Sequence, residues 1–294
     1  MILVTGGDGF IGKQVCSLLS QYGHDIIATD RHFASPVPYP SETGDLADGI
    51  FLAALFEKYT FDAIVHLASL LNTASSQYPQ AAMQINIGVS LSLLELAAQF
   101  GIAKFVYGSS ITVYGPQPFP DHGPVSETEP AAPKNVYGLS KRYVEVVGEA
   151  WRRRTDLRFV ALRIAAVVGP GAKSPTSIWR SALFEALTTR QPMTIYIPYR
   201  SGETIPLVHV EDVAEMIRLL VEAKQSTYTI YNTPSESWRL DELAEYIKKL
   251  NKYIQFTYGN SLVDDIPPKI NGQRFIEEFG YQAIPLISKI KCQI

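Results

Sequence analysis

Cysteine is scarce in this 294-residue chain: it has two, Cys16 and Cys292, at opposite ends. Such a pair makes neither a disulfide framework nor a metal-ligand spacing, so no metal site is expected. Cys16 falls within the first helical pattern and reads as a small buried residue. A surplus of one charge is missing too, since 26 Lys+Arg face 29 Asp+Glu for a net charge of −3. That balance gives no basic surface for nucleic acid, and Arg152-Arg153-Arg154 reads as the charged end of a helix. No apolar run is long enough to suggest a bilayer span, and no secretory leader pattern precedes the first strand. The expectation is a reduced, cytoplasmic protein with neither nucleic-acid nor membrane partners. The remaining composition is ordinary, with 46% hydrophobic and 19% charged residues. The length suits one two-lobed domain or two small ones.

What the chain does have is glycine in one place. Ile2-Leu3-Val4-Thr5 is short, apolar and rich in β-branched residues, as a buried parallel strand is. Gly6-Gly7-Asp8-Gly9-Phe10-Ile11-Gly12 follows, then an amphipathic stretch ending near Tyr22 and Gly23. A tight strand-to-helix turn needs positive φ and close backbone approach, which glycine allows. The helix start offers free N–H groups and a positive dipole end to a pyrophosphate. The matching second strand, Asp25-Ile26-Ile27-Ala28-Thr29-Asp30, ends in a carboxylate at the spacing of a dinucleotide fingerprint. Asp30 would accept the adenosine ribose hydroxyls and repel a 2′-phosphate. This favours NAD over NADP, a preference that the adjacent Arg31 weakens.

Strand and helix patterns then alternate. Further strands are predicted at Ala63–Leu67, Phe105–Ser109, Phe159–Ile164 and Tyr228–Tyr231. Helices are predicted at Ile50–Tyr59, Ala82–Phe100, Tyr137–Arg154, Ser177–Thr189 and Val210–Ala223, with another near Leu240–Leu250. Such alternation implies an α/β fold, a Rossmann-type doubly wound parallel sheet. Residues 1–166 would carry it, with 207–232 returning to it. Residues 167–206 and 233–294, richer in proline, glycine and irregular segments, would form a smaller substrate-binding lobe over the strand ends.

The chemistry centres on Tyr137-Gly138-Leu139-Ser140-Lys141 at the start of a long helix. Tyrosine and lysine four apart share a helical face, and a nearby ammonium lowers a phenol's pKa. The phenolate could then remove a hydroxyl proton while hydride passes to a nicotinamide. The strand before it ends in hydroxyls, Ser109-Ser110-Ile111-Thr112, that would face the cleft.

With these residues in view, the chain resembles the extended short-chain dehydrogenase/reductase family, in its NAD-dependent epimerase/dehydratase branch. The resemblance covers nearly the whole chain. It rests on TGGDGFIG, Asp30, Gly44-Asp45-Leu46, His66-Leu67-Ala68, Asn86, SSITVYG, YGLSK, Leu162-Arg163, the segment Val208–Val213 and Tyr231-Asn232. It implies that Ser110, Tyr137 and Lys141 are catalytic, with Lys141 also on the nicotinamide ribose, and that Thr112 faces the substrate. It further implies that Gly6, Gly9, Phe10, Ile11 and Gly12 line the pyrophosphate, that Asp30 and Arg31 hold the adenosine ribose, and that Asp45 and Leu46 flank the adenine. Leu67 and Ala68 would run along the cofactor, with Asn86 buried in support. A homodimer through the helices containing Leu91, Leu94, Tyr143 and Val147 is implied as well. Arg163 reads equally as structural or functional, and His209 as a satisfied structural histidine.

Three departures bear on the substrate. Ile111 and Thr112 stand where dehydratases of the family carry Asp-Glu. Ala165-Ala166 replaces an expected asparagine. Thr204-Ile205-Pro206 lacks the arginine that clamps a substrate diphosphate, and a lost bidentate contact is costly. Lys173, Arg180, Arg200, Arg239 or Arg274 could substitute, with Arg200 expected at the substrate. The expected activity is NAD-dependent hydride transfer at a secondary alcohol of a sugar-like molecule, as an epimerase. The alternative is net dehydrogenation of a smaller polyol, sugar acid or hydroxy-ketone. A non-catalytic NAD-binding regulator is disfavoured because Ser110, Tyr137 and Lys141 are all present.

Overall fold

The first apolar run becomes β1 (Ile2–Thr5), with β2 (Ile26–Asp30), β3 (Ser41–Thr43), β4 (Ala63–His66), β5 (Lys104–Ser110) and β6 (Arg158–Ile164) following. In this computed structural model, which describes residues 1–116, 123–171, 177–188 and 192–291, they pair in parallel. Three short or irregular strands come next: β7 (Ala166–Val168), β8 (Met193–Tyr199) and β9 (Thr204–His209). The chain then adds β10 (Ile230–Asn232), β11 (Glu236–Arg239) and β12 (Ile254–Ser261). The main sheet runs β10-β6-β5-β4-β1-β2-β3, so the order reverses beside β1, where open α/β sheets form their crevice.

Helices cover both faces because buried parallel strands are apolar on both. On one side lie α1 (Phe10–Gln21) and, from later in the chain, the helix Val210–Glu222. On the other lie α2 (Gly49–Lys58), a helical run from Asn72 to Gln99, and the long helix Val136–Arg154. Neighbouring residues divide accordingly: Val4 packs with Val15, Cys16 and Ile217, whereas Leu3 packs with Leu52, Phe56 and Leu93. In chain order the remaining helices are α3 (Asn72–Gln77), α4 (Pro79–Ala82), α5 (Ser90–Gln99), α6 (Val136–Arg154), α7 (Ile178–Thr188) and α8 (Val210–Glu222). They end with α9 (Leu240–Leu250), α10 (Gln273–Phe279) and α11 (Leu286–Lys291).

The stretch predicted as Ala82–Phe100 starts earlier, at Pro79, and a π-helical turn (Met83–Val89) joins α4 to α5. The joined helix is 21 residues long, and its most apolar stretch, of mean hydropathy 1.4, has the length and composition of a bilayer span, contrary to the expectation that no apolar run is long enough. Its buried face explains the apolar content: Leu93, Leu94 and Ala97 pack on the sheet, and Asn86 and Ser90 are hydrogen-bonded inside. One face of the helix packs on the sheet and the other is open, with 39% of its apolar stretch buried.

The smaller lobe holds two further sheets, β11-β9-β7 and β12-β8. The sequence pattern suggests irregular structure after Leu250, yet β12, α10 and α11 form there. Strand β12 is an edge strand, half exposed along its length and paired only with β8, so its apolar alternation is weak. Trp179, Phe184, Ile197 and Leu243 of this lobe join the same core that packs Val4 and Val15, so lobe and sheet share one interior.

The β1–α1 turn depends on two glycines. Gly6 has φ +73°, and a Cβ at Gly12 would lie 1.9 Å from the Gly6 carbonyl oxygen. Gly12→Ala is therefore expected to push α1 off β1 and to cost about 1–3 kcal/mol, as overpacked cores do. Chemical denaturation checks the stability, and NADH titration is expected to show weakened binding by the same variant.

Candidate active site

The cofactor end of the crevice forms where β1 gives way to α1. Gly9 caps α1 without a side chain, and the helix bonds begin with Lys13 N donating to Gly9 O. The N–H groups of Phe10, Ile11 and Gly12 precede that bond and have no intrahelical acceptor. At the end of β2, Asp30 accepts from the backbone N–H groups of Asp8 (3.0 Å) and Arg31 (2.8 Å), holding its carboxylate at the crevice.

The loop after β4 is fixed from below by a chain of buried hydroxyls and one histidine. Thr5 Oγ1 accepts from the N–H groups of Leu67 and Ala68, both at 3.2 Å, and lies 2.7 Å from His66 Nδ1. Ser90 spends its proton on Asn86 O, so it accepts from His66 Nε2 at 2.9 Å. That assigns Nδ1 as the acceptor of the Thr5 hydroxyl. Burial, reinforced by Lys141, pushes His66 down to about 3, so the ring is neutral. Asn86 sits behind the crevice wall rather than in it. Its Oδ1 accepts from Leu70 N (2.7 Å), and its Nδ2 donates to Leu70 O (3.0 Å) and to Ser140 Oγ (3.2 Å). One amide thus pins the cofactor-side loop to α6.

Helix α6 begins at an Asn135 cap, whose Oδ1 accepts from Gly138 N at 2.7 Å. One turn inside, Lys141 Nζ donates to Gly108 O (2.7 Å) and lies 4.7 Å from the Tyr107 ring and 5.5 Å from the Tyr137 ring. Tyr137, Lys141 and Ser110 line the same cleft, of about 580 Å³. Ser110 Oγ accepts from Thr112 N (3.2 Å) and Thr112 Oγ1 (3.0 Å), which leaves its own proton free to donate. Ser109 turns away and donates to Glu145 Oε1 at 2.6 Å.

The spacing of Tyr137 and Lys141 predicts a lowered phenol pKa; the structure reverses that expectation. Burial pushes Tyr137 up to about 12, against opposing hydrogen bonds from Ser69 and Ser110. Burial likewise pushes Lys141 down to about 7, only partly opposed by Glu145. Sequence spacing gives proximity, but desolvation outweighs it for both groups.

The cleft wall contains Gly6, Gly9, Phe10, Ile11, Gly12, Asp30, Arg31, Asp45, Leu46, Leu67, Ala68, Ser110, Thr112, Tyr137 and Lys141, all singled out by sequence. Arg200 is elsewhere: it is exposed and donates to Asn260 O. Arg239 pairs with Asp241 and Arg274 with Glu127, while Lys173 lies outside the described residues. Of the proposed cations only Arg180 is in the cleft. Sequence reading missed Ser69, Trp179, Tyr199 and Asp265, which line it from separate segments and share no local motif. Arg163, left open by sequence, is paired with Glu145 through Nε (2.9 Å) and Nη2 (2.8 Å). His209 is less satisfied than expected: Nδ1 caps α8 at Glu211 N, but buried Nε2 has no hydrogen-bond partner among the described residues.

Residues 2–233 match the NAD dependent epimerase/dehydratase family. The chain belongs to that family. Among relatives of this NAD-dependent epimerase/dehydratase, UDP-glucose 4-epimerase of Lacticaseibacillus casei is 32% identical over 232 residues, 73% of this chain and 69% of the relative. The UDP-glucose 4-epimerase of Thermus thermophilus, solved with NAD, superposes with a TM-score of 0.82 at 23% identity, covering 99% of this chain and 96% of that one. L-threonine dehydrogenase of Phytophthora infestans superposes with a TM-score of 0.87 at 25% identity, covering 99% and 97%.

The residues fit NAD on the observations above: open N–H groups at α1, a turn in which only glycine fits, and a carboxylate at the end of β2. When bound, NAD supplies the hydride acceptor and donor. The protein's own part is proton handling and orientation. There Ser110 would donate toward the substrate oxygen, Tyr137 would take or return its proton, and Lys141 would lie below the phenol.

Two expected outcomes test this account. Glu145→Gln leaves the Arg163 charge buried and unpaired, so it is expected to destabilise the fold by about 3–5 kcal/mol in chemical denaturation. The second concerns pH. Lys141 titrates near 7 when folded against 10.5 for the free group, so above pH 7 the unfolded chain binds one more proton there. Stability from this group therefore rises with pH across that window. The difference in unfolding free energy between wild type and Lys141→Met is expected to shift in favour of wild type from pH 7 to 9.

Proposed function

We propose that this chain is an NAD-dependent epimerase acting on a secondary alcohol of a sugar-like substrate. The observation that carries the reading is the convergence of Ser110, Tyr137 and Lys141 on one wall of the cleft that begins at the α1 turn. Tyr137 removes the hydroxyl proton as hydride leaves the carbon, and the resulting ketone receives hydride on its opposite face while Tyr137 returns the proton. Nothing net is oxidised, so the cofactor need not leave. Residues 1–166 and 207–232 would serve the cofactor, and 167–206 with 233–294 the substrate.

Net dehydrogenation of a smaller polyol, sugar acid or hydroxy-ketone is the second reading. It is favoured by Thr204-Ile205-Pro206, which brings no arginine into the cleft from the start of β9, and by the likeness to the L-threonine dehydrogenase fold. The protein would work in the cytoplasm as a homodimer. Exposed Leu139, Tyr143 and Val146 on α6 would supply the interface, whereas Leu94 faces the core.

Stoichiometric NAD(H) released from denatured, purified protein is the expected result, together with interconversion of UDP-glucose and UDP-galactose or another sugar epimer pair. Tyr137→Phe is expected to lower kcat by on the order of a hundred- to ten-thousand-fold while NAD stays bound. Accumulation of free NADH on adding substrate would instead establish the dehydrogenase reading.

A further inference from the structure

Tyr107 of β5 is a fully buried tyrosine for which hydride transfer has so far found no use. Its hydroxyl lies near Ser90 but meets no partner in hydrogen-bond geometry among the described residues. A polar atom buried without a partner is a cost, so the benefit of the residue must come from its ring. That ring is clamped from both neighbouring strands. Its centroid lies 5.8 Å from the His66 ring of β4 and 6.2 Å from the Phe159 ring of β6, tilted by 30° and 31°. Held in that orientation, it presents its face to Lys141 Nζ at 4.7 Å.

The ammonium has little else. Among the described residues it makes no ion pair, and its hydrogen-bond acceptor is Gly108 O at 2.7 Å. The titratable groups around it are Tyr137 and Glu145 on its own helix, Tyr107 on β5 and His66 on β4. Glu145 is engaged by Arg142 of α6, Arg163 of β6 and Ser109 of β5, and His66 is neutral. A carboxylate placed directly against Lys141 would hold the charge but cancel its field at the Tyr137 ring, 5.5 Å away. An aromatic face offsets desolvation of a cation while carrying no net charge, so the field at the phenol survives.

We propose that Tyr107 is a positioning residue for the catalytic pair: its ring face keeps the Lys141 ammonium charged and in place beneath Tyr137. The proposal rests on the hydride-transfer reading and adds to it the group that lets a desolvated lysine stay a cation.

A double-mutant cycle between Tyr107→Leu and Lys141→Met, read by chemical denaturation at pH 6 and pH 9, tests it. Lys141 titrates near 7, so the two residues are expected to couple at pH 6 and to lose most of that coupling at pH 9. A ring that serves packing alone gives equal coupling at both pH values. Tyr107→Phe is expected to retain most of the coupling, since it loses only the hydroxyl. If Tyr107→Leu folds poorly, progressively fluorinated phenylalanine at position 107 keeps the ring's shape while weakening its face, and the pH 6 coupling should fall with each fluorine. In turnover of UDP-glucose by the NAD-loaded protein, Tyr107→Leu is expected to lower kcat about 10-fold with KM unchanged. The alkaline limb of its pH profile should move down by about one unit, with Tyr107→Phe near wild type. Coupling that is absent or equal at both pH values, or an unshifted profile in Tyr107→Leu, would overturn the proposal and leave hydride transfer standing. Neither NAD(H) binding nor UDP-glucose turnover in wild type would overturn the hydride-transfer reading, and the positioning role with it.

Discussion

The ion pair between Glu145 and Arg163 fixes the geometry on which the catalytic face depends. Glu145 lies on α6, one turn past Lys141, and Arg163 lies near the end of β6. Both are buried, so the pair survives desolvation only because its acceptors are filled. Two guanidinium nitrogens, the Ser109 hydroxyl of β5 and Arg142 all converge on the one carboxylate. Arg163 also lies 4.6 Å from the Tyr114 ring, whose hydroxyl donates to Asn232 of β10 at 2.7 Å. A single carboxylate thus sets the rotation of α6 against the adjacent strands. Gly148 completes the fit, since a Cβ there would lie 2.3 Å from the Phe159 ring. Tyr137 and Lys141 face the cleft because the helix has no other way to sit.

That rigidity explains the opposed shifts of the catalytic pair. Lys141 is suspended between the Gly108 carbonyl and the Tyr107 ring, away from water, and loses charge as pH passes 7. Tyr137 holds its proton far above that. The neutral His66 beneath them adds no charge of its own. With so little fixed charge, a positive ring entering the cleft shifts the phenol strongly, because electrostatic interactions are less screened there than in water. The site would then become basic only with a cationic cofactor and a substrate both seated.

Local order is what the sequence made legible. The β1 turn, the Asp30 strand end and the YGLSK face each lie within one short segment, and each occupies the place its pattern implies. The chemistry of that face was less legible, since spacing reports proximity and not desolvation. The substrate end was least so. Trp179, Tyr199 and Asp265 come from α7, β8 and the loop after β12, and meet only through tertiary packing. Arg200 lies outside the cleft for a related reason: β8 ends at Tyr199, and the next residue turns out to solvent. The strands of this lobe also hid behind two prolines: Pro206 stays paired with Ser237, whereas the β8–β12 register shifts at Pro198.

Asp265 joins the two ends of the cleft into one device. Asn72 begins α3 after the cofactor-side loop, and Asn135 caps the helix that carries Tyr137; both donate to this one carboxylate from the small lobe. Burial raises its pKa, and the hydrogen bond from Asn72 works against that rise. The cofactor-side loop, the catalytic helix and the substrate lobe therefore share a single acceptor. Tyr199 of β8 lies within electrostatic range of both Asp265 and Arg180 beside that junction. The same carboxylate that keeps the small lobe in register holds Tyr137 where the alcohol must arrive.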